Sequence, residues 1–223
     1  MKLEHSTPAD IERTSLGIIA RELAALGTAV EEENKAVVYR VIHASADFDY
    51  GKNLVFTPGA VGKAVEALQK GAVVVTDTNM ALAGVSKPSL KTLGGQGLCY
   101  MAGPLVAREA AERGVTRAVA SMERAAAEHP GAVFAVGNAP TALVRLAELM
   151  EQGLRPALVV GVPVGFVNVV ESKELVLEVC RRCGVPAIVA MGRKGGSSVA
   201  AAVCNALLYT AAQTLDPTDR GWK

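Results

Sequence analysis

"AVGNAPTALVRL", residues 135–146, closes an apolar run and opens a helix. Between the two lies Gly137-Asn138-Ala139-Pro140-Thr141, a bend rich in backbone N–H groups with no charge and no evident nucleophile. The same design recurs twice. "AVFAV" (132–136) leads through this bend to a helix expected over 140–152. "ALVVG" (157–161) leads through VPVGF to a helix over 171–183, and "PAIVAM" (186–191) through GRKGGSS to one over 198–209. Short apolar runs alternating with helical patterns predict an α/β fold with a mainly parallel sheet covered on both faces. In such a sheet the loops at the carboxyl ends of the strands line the ligand crevice, and all three bends fall there. Each precedes a helix whose first N–H groups are unpaired and carry partial positive charge, a setting that suits a phosphate or a carboxylate. For any one bend alone, glycines that merely permit a tight connection explain it equally well.

Outward from these units the pattern holds less evenly. Thr7-Pro8-Ala9-Asp10 reads as an N-cap, a proline at the first helical position and an acid in the first turn. Ile11, Ile18, Ile19, Leu23 and Leu26 follow at helical spacing, with Gly27 as a stop. "KAVVYRVIHAS" (35–45) reads as a strand, or as the last turn of a helix running into one. "TPGAVGKAVEALQKG" (57–71) repeats the Thr-Pro helix start, and "AVVVTD" (72–77) has the β-branched run of a buried parallel strand. "KPSLKTLGGQGLCYMAG" (87–103) is irregular, a hairpin or a lid, and helices are expected over 104–113 and 117–128. No linker rich in Pro, Ser or charge interrupts the chain. Residues 1–215 therefore read as a single domain and 216–223 as a loose tail.

Half of the residues are hydrophobic and 20% charged, enough for a substantial core, and the 4% of aromatics with abundant Ala, Val and Gly suits tightly packed α/β layers. A formal charge of +1 excludes a broad basic surface, so no nucleic-acid partner is expected. The N-terminus is too polar for a signal peptide, and no apolar run approaches the roughly 18 residues of a membrane span. The four cysteines make no disulfide framework in a chain of this length. The expected compartment is cytoplasmic, without membrane association.

Nucleotide binding fails on detail. "GRKGGSS" lacks the Gly-Lys-Ser/Thr of a Walker loop, and neither "GNAPTA" nor "GVPVGF" is a dinucleotide fingerprint. Of the three histidines, His5 lies in the polar leader and His129 at a helix end before Pro130. His43 follows the apolar Val41-Ile42 in a segment that should enter the core, with Arg40 three residues earlier. It is either a proton carrier near neutral pH or a hydrogen-bonded structural histidine. Cys180-Arg-Arg-Cys183 falls near a helix C-terminus, where no dipole lowers a thiol pKa, and zinc would need a second pair. That motif reads as packing. Arg117 follows Thr116, an expected N-cap, so its guanidinium is a candidate to face the crevice. Arg193 and Lys194 lie in the third bend, and Lys87 and Lys91 in the irregular segment.

Taken together, several segments resemble the precorrin-8X methylmutase family, found also as cobalt-precorrin-8 methylmutase. They are "IERTSLGIIARE" (11–22), "YRVIHAS" (39–45), "DTNMALAGV" (77–85), "GVTRAVAS" (114–121), "VGNAPTAL" (136–143), "GVPVGFVNVVESKE" (161–174) and "GRKGGSSVAAAVCNAL" (192–207). Leu16 departs from the phenylalanine the family often carries after the serine, a matter of packing there. The resemblance implies a three-layer α/β/α sandwich and an isomerase that moves a methyl group from C-11 to C-12 of a corrin precursor. The product would be hydrogenobyrinate or its cobalt counterpart. It implies a homodimer with no external cofactor and no metal of its own. It places the acid–base residue on His43 and substrate contacts on Ser15, Arg40 and Arg117. A macrocycle edged with acetates and propionates suits helix N-termini and scattered arginines. Protonating it would favour migration without a nucleophile or redox centre. The rival from another class is a tetrapyrrole carrier with the same pocket and no turnover.

Overall fold

The computed structural model describes residues 7–221, so His5 lies outside it. Six strands form one sheet: β1 (Leu54–Phe56), β2 (Val74–Thr76), β3 (Gly97–Leu98), β4 (Val133–Val136), β5 (Leu158–Gly161) and β6 (Ala187–Ala190). Their order is β1-β6-β5-β4-β2-β3, all neighbours parallel except β1, which runs antiparallel to β6. Because successive side chains of a strand point to opposite faces, Val133 and Ala135 join one hydrophobic core while Phe134 and Val136 join the other. Leu158 and Val160 likewise separate from Val159. Both faces are apolar, so both are covered.

The first face carries α1 (Pro8–Ala25), α2 (Lys35–Ser45), the single turn α3 (Tyr50–Asn53), α4 (Ala60–Gln69), α5 (Asn79–Gly84) and α6 (Lys87–Thr92). On the second face lie α7 (Pro104–Arg113), α8 (Arg117–Glu128), α9 (Pro140–Glu151) and α10 (Val169–Cys183). The last helix, α11 (Ser197–Ala211), returns to the first face. Its run of Ala200, Ala201, Ala202, Val203 and Cys204 is buried, and such small side chains let neighbouring backbones approach closely. A β-carbon on Gly137 would lie 2.9 Å from the Gly196 carbonyl oxygen and 3.0 Å from the Ala200 methyl. That contact is why the first bend carries a glycine.

Three expectations need correction. Residues 35–45 are helical throughout, because Val37, Val38, Val41 and Ile42 form a stripe buried in the first-face core; burial outweighs the weak strand preference of β-branched residues. The irregular segment resolves into α6, capped by Ser86, and the edge strand β3. The tail from Asp216 is not loose as far as Gly221: Pro217–Arg220 form a 3-10 turn whose Asp216 pairs with Arg13 at 2.7 Å.

Candidate active site

The first bend already holds an anion. Asp77, at the end of β2 beside β4, is fully buried, and its Oδ1 accepts the Gly137 N–H at 2.8 Å. Its Oδ2 accepts the N–H groups of Asn138 and Ala139 at 2.8 and 2.7 Å. Burial pushes the Asp77 carboxyl above the usual range while these three donors pull the other way. The donors that the sequence suggested for a ligand are thus satisfied from within. The third bend is tied down similarly. The fully buried Lys173 donates to the carbonyls of Gly192 and Lys194 at 2.7 and 2.8 Å, and burial lowers its pKa to about 8. Gly196 N–H reaches Val162 O at 2.8 Å, joining the third bend to the second. Neither Asp77 nor Lys173 was singled out from sequence, since their partners are fixed only by strand order.

An open hollow of about 330 Å³ lies instead on the first face, between α2, α5 and α11. Arg40 and His43, one turn apart on α2, form one wall; Ser198, Ala201, Ala202 and Asn205 of α11 form the floor; Gly84 of α5 faces them. Asn205 fixes that far wall, donating to Gly84 O at 2.8 Å and accepting from Ser86 N–H at 2.7 Å. Half-burial, then the nearby Arg40 cation, lowers the His43 pKa below its ordinary value, with Glu12 opposing. The imidazole is therefore neutral at neutral pH and able to accept a proton. The Arg40 guanidinium donates to buried Glu12 at 2.7 Å and lies over the Tyr209 ring, 5.1 Å from its centroid.

Of the residues the resemblance pointed to, Arg40 and His43 come together. Ser15 does not join them: its hydroxyl donates to Ile11 O at 2.7 Å on its own helix. Arg117 is exposed at the start of α8, in the other layer, behind the Thr116 cap. Lys194 bridges Asp47 and Asp49 at 2.7 and 2.6 Å, which ties the third bend to the segment just after His43. Cys180 is buried against Met150, and burial pushes its thiol up to about 12, in keeping with packing. The second bend adds a feature not singled out from sequence: Phe166 is 84% exposed, with the Arg193 guanidinium 5.6 Å from its ring centroid. The apolar "VPVGF" itself was the available signal.

The Precorrin-8X methylmutase family profile matches residues 10–210. The chain belongs to that family. It is 43% identical over 206 residues to the Cobalt-precorrin-8 methylmutase of Salmonella typhimurium, covering 91% of this chain and 95% of that one. It is 39% identical over 198 residues to the Precorrin-8X methylmutase of Pseudomonas aeruginosa, covering 88% and 93%. The solved precorrin-8X methyl mutase of Thermus thermophilus superposes with a TM-score of 0.81 at 39% identity, over 91% of this chain and 98% of that one. Methylmutases are isomerases that move a methyl group within one molecule, and this chain is an enzyme of that kind. Among the described residues no helix is long and apolar enough to cross a membrane.

Proposed function

We propose that the hollow beside His43 is where a precorrin-8 macrocycle, metal-free or carrying cobalt, undergoes migration of its methyl group from C-11 to C-12. The observation that carries this reading is the pairing of His43 and Arg40 on one wall, with the imidazole kept neutral at rest by burial and by the adjacent cation. A substrate edged with carboxylates brings negative charge to that cation. This offsets its effect on His43 and raises the affinity of the imidazole for a proton. The imidazolium then donates to the macrocycle, polarising its π system as the methyl migrates. The proton returns to the imidazole as the chromophore re-forms, so reactant and product remain isomers. The small floor residues of α11 admit a flat ring edge, and the fixed Gly84 wall holds it in place.

Ser15 and Arg117 lie outside this hollow in a single chain, and we assign them to more distant parts of the substrate's rim. A homodimer supplies the additional wall that so wide a ligand requires. Exposed Phe166, Val167 and Met80, at 84%, 75% and 75%, offer apolar surface for that wall or for the ring itself. The test is His43→Ala. It should lose rearrangement about 10²- to 10⁴-fold while still binding hydrogenobyrinate. Near-normal conversion, followed through the absorption spectrum, would refute the assignment. Wild-type protein that binds precorrin-8X without changing its chromophore would be a carrier instead.

A further inference from the structure

Gly192-Arg193-Lys194-Gly195-Gly196 forms the bend between β6 and α11. Gly192 and Gly196 hold φ of +75° and +131°, a region that glycine enters and leaves with little resistance. Such a bend has little stiffness of its own, so its shape depends on what grips it. From inside, the grip is Lys173 of α10, whose Nζ donates to Gly192 O and Lys194 O at 2.7 and 2.8 Å. The side chain is fully buried, and burial is what lowers its pKa to about 8. An apolar side chain of the same length would avoid desolvating an amine but would leave both carbonyls without their donor. A neutral amine still carries two N–H groups, so both bonds persist on either side of its titration.

What the bend fixes in turn surrounds the hollow of His43. Ser197, the next residue, shares a hydrogen bond of 2.8 Å with Thr78, whose hydroxyl caps α5, the helix that brings Gly84. Ser198 follows into the floor. Lys194 reaches outward to Asp47 and Asp49, just beyond the end of α2. The bend also rests on its neighbour: the Gly196 N–H donates to Val162 O at 2.8 Å, and a β-carbon on Gly195 would run into that same carbonyl. One amine buried in the second-face layer thus underlies three sides of a hollow on the first.

We infer that Lys173 is a positioning residue for the methylmutase site: from the opposite layer it holds the 192–196 bend, and through that bend the start of α11, the cap of α5 and the chain just after α2 keep their places around His43. This rests on the assignment of the His43 hollow made above. Migration requires the ring to be held in one pose against the imidazole, and a displacement of about 1 Å costs on the order of 10²-fold in rate. Loosening the bend should therefore lower kcat more than it raises KM. A role in stability alone would lower the melting midpoint and leave the turnover of each folded molecule untouched.

The experiment combines thermal melts, precorrin-8X turnover and hydrogenobyrinate binding on variants of the two lysines. Lys173→Met should lower kcat about 10- to 100-fold while affinity falls less than about fivefold. Lys173→Gln, which keeps two N–H groups one bond short of the carbonyls, is the milder change for folding and should lose kcat in the same sense. Lys194→Met breaks exposed ion pairs of little weight in stability, so its melt should match the wild type while kcat falls about three- to tenfold. Lys194→Arg should recover most of that loss. Because both lysines act through one bend, the double methionine variant should be no more than about twofold slower than Lys173→Met, rather than slower by the product of the two losses. Leu146→Ala, in the second-face core, should lower the melt and keep kcat per folded molecule. Wild-type kcat in a folded Lys173 variant or in Lys194→Met, losses that multiply in the double variant, or an equal kcat loss in Leu146→Ala would overturn the inference. Full turnover by His43→Ala would instead sink the assignment of the hollow itself, whatever the bend does.

Discussion

At the scale of single residues, Asp77 shows how a carboxylate can be spent on the fold rather than on chemistry. Its two oxygens accept three N–H groups of the 137–139 bend, and the ionised form, an acceptor only, is what those donors require. Asp77→Asn would turn an NH₂ group toward them and leave buried donors unpaired. The expected loss is about 2–4 kcal/mol of unfolding free energy, seen as a lower midpoint in urea melts. Sequence disclosed an acid at the end of an apolar run but not its partner. The two lie 60 residues apart and meet only because β2 and β4 are neighbours in the sheet. The same holds for Arg40, which was legible as a charged neighbour of His43. Its anchor, Glu12, is 28 residues away on another helix.

Among elements, α11 decides how much room the hollow has. Gly84 of α5 sits so close to it that an added β-carbon would come within 2.8 Å of the Ala201 methyl. Gly84→Ala should push α5 off α11, lowering stability by about 1–3 kcal/mol and weakening hydrogenobyrinate binding. Thermal melts and a binding titration on the same preparation would check both, and unchanged affinity would place the ligand elsewhere. The three βα units were legible because strand and helix periods alternate cleanly there, and α7 and α8 fall on their expected spans. α2 was ambiguous for a physical reason: Val37, Val38, Val41 and Ile42 are dense in β-branched residues, and what makes them helical is burial against distant elements.

For the whole molecule, the parallel sheet with helices on both faces followed from periodicity, whereas strand order and the antiparallel β1 depend on contacts that no local pattern encodes. The docked tail was hidden in the same way, since Glu12 and Arg13, which pair with Arg220 and Asp216, lie on α1. The candidate site was legible as far as His43 and Arg40. A single chain leaves Arg117 outside the His43 hollow, which makes assembly the decisive measurement at this scale. Light scattering at assay concentration should report a dimer, two-fold symmetric as most homo-oligomers are. A fully active monomer would mean that one chain encloses the macrocycle unaided.

Both borders of the sheet are short, β1 with three residues and β3 with two. Each offers so brief a row of backbone groups that another molecule finds almost nothing to extend. The segments with real amyloid character, VFAV, LVVG and AIVA, all lie inside the sheet and are buried along their whole length. Strand-to-strand aggregation of this protein is therefore a hazard of its unfolded chains rather than of its native sheet edges. Loss of protein by that route should rise with the rate at which the fold opens.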